Sequence, residues 1–170
     1  MAKATTTILT KVRLGRSASL CLALLTSAAS AQEYLAIDGV VHETCAGVFL
    51  DSGGSSGGYA NGQNIVTTIC PTGGPSSGPL SQVRFDSWVI AVGPGDVLNV
   101  FDGASTAGTL LATGTNAVSL AGTTITSTGP VGCLTFEWTS DGSGVAAGWS
   151  ASILTGPDAG SDATATFCRN

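Results

Sequence analysis

The chain has 170 residues and carries six Lys and Arg against eleven Asp and Glu. Four of the cations (Lys3, Lys11, Arg13 and Arg16) fall in the first 31 residues, so the rest holds only Arg84 and Arg169 against all eleven acids, a net charge of −9. A lysine-free surface of that sign argues against nucleic acid and acidic lipid, which need clustered cations, and suits solubility, cations or a basic partner.

Residues 1–31 read as an export signal. The basic flank is followed by a short apolar run from about Leu20 to Leu25, then by Ala29-Ser30-Ala31, a small-x-small exit before Gln32. The run is too short to cross a bilayer, which needs about 20 apolar residues. Leu20 is not the small residue that lipoprotein cleavage at Cys21 would need. The expected location is therefore secreted, with no membrane insertion. From Gln32 onward there are 139 residues, enough to bury a core. Four cysteines remain, Cys45, Cys70, Cys133 and Cys168. An even count in an exported chain predicts two disulfides, and spacing leaves all three connectivities open.

Residues 32–44 form a lead-in. Short runs of apolar and β-branched residues then alternate with turns, at the interval of a sandwich or barrel. Ile65, Thr67 and Ile69 mark one strand, Val83 and Phe85 a second, and Leu98 and Val100 a third. Leu134, Phe136 and Trp138 share one face of a fourth, with Thr135, Glu137 and Thr139 on the other. The breaks are the DSGGSSGG run from Asp51 to Gly58, the long turn from Pro71 to Pro79, Gly93-Pro94-Gly95, Asp102-Gly103 and Asp141-Gly142. There is no internal repeat. Residues 155–170 form a looser tail, tethered if Cys168 is bonded.

Seven of these segments, in order, resemble a CUB domain of the kind found in secreted bacterial proteins. They are Cys45 to Gly54, Tyr59-Ala-Asn61-Gly, Thr68-Ile-Cys70-Pro71, Val83 to Trp88, Asp96 to Gly103, Leu134 to Asp141 and Gly148 to Ile153. The resemblance covers residues 45–154 and implies an all-β, jelly-roll-like sandwich of two antiparallel sheets. It also implies the disulfides Cys45–Cys70 and Cys133–Cys168, because the cysteine pair that animal CUB domains place around the residue matching Asp96 is missing here. Many CUB domains hold calcium at one end of the sandwich. Asp96 and Asp141 match two of the family's ligands, Tyr59 matches the tyrosine packed beside them, and Ser143 offers a further oxygen. The family's glutamate has no counterpart, since Ala91 or Trp88 falls near its place. Calcium takes about 6–8 oxygens, several of them charged. The plainer role of Asp96 and Asp141 is to accept hydrogen bonds within turns.

The function this implies is a non-catalytic recognition module that binds an extracellular protein or carbohydrate through loops at one end of the sandwich. A structural role in an extracellular matrix or surface layer is the first alternative, and a hydrolase the second. Gly54 to Gly58 fits G-x-S-x-G with Ser56 as nucleophile, but that motif needs a strand entering and a helix leaving. His42 is the only histidine and so the only such base. As a lead-in residue it is expected at the surface. Zinc catalysis would use several His and Cys ligands. Trp138 and Trp149 are expected in the core, with Trp88 less determined.

Overall fold

The computed structural model describes residues 31–72 and 80–155. Residues 1–30, all but the last of the expected export signal, residues 73–79 of the expected long turn, and residues 156–170 of the expected tail lie outside the described residues. Ten strands are described: β1 Glu33–Leu35, β2 Val41–Glu43, β3 Gly47–Leu50, β4 Asn64–Cys70, β5 Ser81–Val89, β6 Val97–Asp102, β7 Thr109–Gly114, β8 Thr124–Thr126, β9 Leu134–Thr139 and β10 Gly148–Thr155. A 3-10 turn at Gly54–Ser56 is the single helical element among them.

Alternation within the strands builds two half-buried faces. In β9, Leu134, Phe136 and Trp138 are buried, while Thr139 is exposed. In β5, Val83 and Phe85 point inward and Arg84 and Asp86 outward. The strands form two five-stranded sheets, in the orders β1-β3-β10-β5-β8 and β2-β4-β9-β6-β7. Aromatic side chains from both sheets meet between them. Phe49 of β3 lies 4.7 Å from Phe136 of β9, and Trp138 of β9 lies 5.1 Å from Trp149 of β10, measured between ring centroids. Rings at these separations are worth about 0.5–1.5 kcal/mol per pair beyond the area they bury. Trp138 and Trp149 are thus core residues, and Trp88 is half-buried with its indole N–H donated to Thr115 O.

The sheets are mixed rather than purely antiparallel. β1 pairs parallel with β3, and β2 parallel with β4. The reason lies in the lead-in, which supplies an edge strand to each sheet. Parallel neighbours need a crossover between them. Here β2, in the second sheet, is the crossover from β1 to β3, and β3 is the crossover from β2 to β4.

The disulfide differs from the expected pairings. Cys70 bonds Cys133, with Cα atoms 4.2 Å apart, so neither Cys45–Cys70 nor Cys133–Cys168 forms. The antiparallel register of β4 and β9 sets Ile69 opposite Leu134. One step further, Cys70 stands directly across from Cys133. Cys45 is itself disulfide-bonded, and Cys168 lies outside the described residues. The Cys70–Cys133 bond joins the neighbouring strands β4 and β9 at one end of the second sheet. At that end Asp102 accepts hydrogen bonds from the hydroxyls of Ser127 (2.8 Å) and Thr128 (2.6 Å), tying β6 to the chain after β8.

Candidate functional site

The opposite end gathers four loops: 51–63 after β3, 90–96 after β5, 115–123 after β7 and 140–147 after β9. Hydrogen bonds lace them together. Gly62 N–H donates to Asp141 O at 2.6 Å, Asp141 N–H donates to Asp96 Oδ1 at 2.8 Å, and the Asn116 side-chain amide donates to Ile90 O at 3.0 Å.

Asp96, Asp141, Tyr59 and Ser143 come together here. Tyr59 is buried with its ring against Trp138, centroids 4.8 Å apart, which fixes its hydroxyl. That hydroxyl donates to Asp96 Oδ2 at 2.6 Å and accepts from Ala91 N–H at 2.8 Å. Burial first, then the hydrogen bond to Asp96 and the charges of Asp96 and Asp141, pushes the Tyr59 hydroxyl up to about 12, against the pull of the Ala91 N–H. Asp96, only 3% exposed, has both carboxylate oxygens engaged, one by Tyr59 and one by Asp141 N–H. Asp141 Oδ1 accepts from both the N–H (2.7 Å) and the hydroxyl (3.2 Å) of Ser143. Among the described residues, no group of three or more His, Cys, Asp or Glu is placed to hold a metal. Calcium is best served by several charged oxygens, whereas this cluster offers two carboxylates whose lone pairs largely serve N–H and O–H donors. The donor set falls short of a resident calcium site, and Ala91 brings an N–H donor to the cluster rather than a carboxylate.

Four valines project from the same end. Val92 is 91% exposed, Val145 58%, Val118 54% and Val89 52%. They sit on or beside three of the four loops, flanking the Asp96–Asp141 cluster. Sequence reasoning passed over them, although each of Val92, Val118 and Val145 stands among turn residues with no strand to bury it.

Ser56 and His42 share no hydrogen bond among the described residues. Ser56 ends a three-residue 3-10 turn, so the helix that a nucleophile elbow needs is missing. His42 is half-buried in β2. Its Nε2–H donates to Leu35 O at 2.9 Å, and its ring packs edge-on against Tyr34, 5.2 Å between centroids.

Beside these loops lies an open groove of about 520 Å³, lined by residues 54–58, Leu50, Ser87, Ser150 and Trp149. Its wall is the DSGGSSGG run, held compact by close backbone approach. A Cβ on Gly58 would strike Ala146 O, so that position takes glycine for space rather than for mobility. Behind the groove, Asp51 is only 1% exposed. Its Oδ1 accepts from Gly53 N–H at 2.7 Å, and Gly148, at φ 70°, packs directly onto its carboxylate. Burial pushes the Asp51 carboxyl up, with the backbone N–H groups of Gly53 and Trp149 pulling the other way.

Fold and site together define a disulfide-braced β-sandwich of two mixed five-stranded sheets, with its candidate site on the loops of one end. No family model matches the chain, and no curated protein does. Among solved structures it is similar to the full extracellular region of zebrafish Gpr126/Adgrg6, at 21% identity and a TM-score of 0.55 over 70% of this chain. The chain spans 15% of that structure's length. The likeness is one of fold, and that neighbour is an extracellular region. A disulfide also fits an oxidising compartment. Among the described residues no helix is long and apolar enough to cross a membrane.

Proposed function

We propose that this protein is a secreted, non-catalytic recognition module of the CUB type that docks an extracellular protein through the loops at the Asp96–Asp141 end. The observation that carries this reading is the set of four exposed valines at one end of the sandwich, with Val92, Val118 and Val145 on three of its loops and Val89 at the end of β5. Single exposed apolar residues are ordinary, but a clustered apolar patch rimmed by polar groups is what protein interfaces present. The acidic groups at its centre favour a partner whose contact surface is apolar with a basic rim.

Order in this end comes from hydrogen bonds, and calcium at most binds loosely there, in the range of about 10⁻⁴–10⁻³ M found for extracellular modules. The rival reading as a surface-layer component would use the same patch between copies. Val92→Asp combined with Val145→Asp tests the proposal. Both side chains are exposed, so melting temperature should hold while capture of the extracellular partner falls at least about 10-fold, or about 1.4 kcal/mol. Unchanged capture by the double variant would overturn the assignment. Concentration-dependent growth in particle size of the wild type, abolished by the same pair, would favour the surface-layer reading instead.

A further inference from the structure

We infer that Gln32 is a modification site: once the chain is cut before it, its side chain closes on its own α-amine to give an N-terminal pyroglutamate. The inference rests on export with cleavage after Ala31. It does not depend on the docking reading, because the β3–β10 register runs from Leu50–Ser150 beside the valine loops to Gly47–Ile153, and Gln32 precedes the Glu33–Val48 pair away from those loops.

The fold clamps this residue on one side only. Gln32 O accepts the Val48 N–H at 2.8 Å, and the ladder of β1 begins just after it, at Glu33. Gly47 makes that approach possible. A Cβ at Gly47 would meet Gln32 O at 2.7 Å and would also strike the Tyr34 ring, and its φ of 142° favours glycine. From its carbonyl onward, then, Gln32 is held in the sheet. Its side chain is exposed and makes one hydrogen bond among the described residues, from Nε2 to Glu33 O at 3.2 Å. That contact already turns the amide back along its own main chain.

The chemistry needs nothing beyond this residue. Cleavage turns Gln32 N into a primary amine, and an α-amine ordinarily titrates at about 8, so part of it is neutral in a near-neutral medium. Its lone pair attacks the side-chain Cδ. The N–Cδ bond forms, the Cδ–Nε2 bond breaks, and Nε2 leaves as ammonia with the proton that the amine gives up. No oxidant, reductant or second substrate takes part, and two groups tethered within one residue react without the entropy cost of meeting. The product is a five-membered lactam. Its ring contains N, Cα and the side chain but not the carbonyl, so the bond from Val48 N–H is retained. The α-ammonium is gone.

What the ring protects is an edge. β1 is three residues long and is the outer strand of its sheet, beside β3. Chain termini are where fraying and proteolysis concentrate. Loss of β1 would bare the β3 edge and free Ala36, a core residue whose N–H donates to Leu50 O at 2.9 Å. Aminopeptidases grip a free α-ammonium, which the lactam lacks.

Mass spectrometry of the N-terminal peptide, on protein recovered outside the cell and kept near neutral pH, is the test. The peptide should begin at residue 32 and weigh one ammonia less than its open form. Stepwise terminal sequencing should be blocked until pyroglutamyl aminopeptidase is added to the unfolded chain. Gln32→Ala removes an exposed side chain, so its melting temperature should match wild type, but it keeps its amine. A broad-specificity aminopeptidase should shorten Gln32→Ala and leave wild type at full length. A peptide that begins at Gln32 with a free amine overturns the inference while export stands. A start at any other residue overturns it together with the cleavage expectation. Equal trimming of both proteins overturns the protective role. None of these results alters capture by the Val92→Asp/Val145→Asp variant, so the docking reading is judged separately.

Discussion

Tyr59 shows how one side chain fixes a loop end. Its ring is gripped by Trp138, and its hydroxyl joins Ala91 N–H on one loop to the Asp96 carboxylate that anchors another. Tyr59→Phe keeps the ring and removes both hydrogen bonds. The expected cost is about 1–3 kcal/mol, because a buried carboxylate oxygen and a backbone N–H lose their partner, and urea unfolding measures it. The pH dependence has a definite sign. The hydroxyl is pushed up to about 12 in the fold, above the ordinary tyrosine value of about 10. Its contribution is therefore complete below pH 10 and lost as pH rises towards 12. The alkaline loss of stability should shrink in Tyr59→Phe, and an alkaline limb identical to wild type would refute the role given to this hydroxyl.

At the scale of elements, strand register decided the disulfide. The family resemblance pairs Cys70 with Cys45, yet β4 and β9 lie side by side in a register that makes Cys70 and Cys133 neighbours across the ladder. Non-reducing peptide mapping should recover a Cys70–Cys133 peptide, and a Cys45–Cys70 peptide would contradict the register. The Cys70–Cys133 link bridges a sequence separation of 63, for which chain entropy gives about 4 kcal/mol, within the about 2–5 kcal/mol usually lost on removing a native disulfide. Replacing both cysteines by alanine should lower the melting temperature accordingly. The same elements explain why the lead-in is structural: β1 and β2 cover one edge of each sheet, and short edge strands limit edge-to-edge association.

For the molecule as a whole, the two ends of the sandwich have different work. One carries the Cys70–Cys133 disulfide within the second sheet and the Asp102 hydrogen bonds that tie β6 to the chain after β8. The other carries the hydrogen-bonded acidic cluster, the valine tips and the groove. Calcium tests whether a cation has any part in the second end. Because both Asp96 oxygens and Asp141 Oδ1 already serve N–H and O–H donors, about 1 mM calcium should add no more than about 1.4 kcal/mol of stability, the mass-action limit for a dissociation constant of about 10⁻⁴ M. Thermal melting with and without calcium reads this directly. A large upward shift that disappears in Asp141→Ala would establish a working calcium site and displace the hydrogen-bonded reading.

The all-β class, several core strands and the loop positions were legible in the sequence because they rest on local physics. Alternation in Leu134–Thr139 and Val83–Phe85 declares a half-buried strand, and Gly, Pro and Asp-Gly declare its ends. The proximity of Tyr59, Asp96 and Asp141 was also readable, though through resemblance rather than spacing. What local pattern does not encode is which strands lie together. The parallel edges, the Cys70–Cys133 bond and the lodging of the DSGGSSGG run beside Ser87 and Ser150 depend on contacts between residues tens of positions apart. So does the convergence of four valines on one end. These follow from the order of strands in the two sheets, which packing of the shared core selects and no single segment contains.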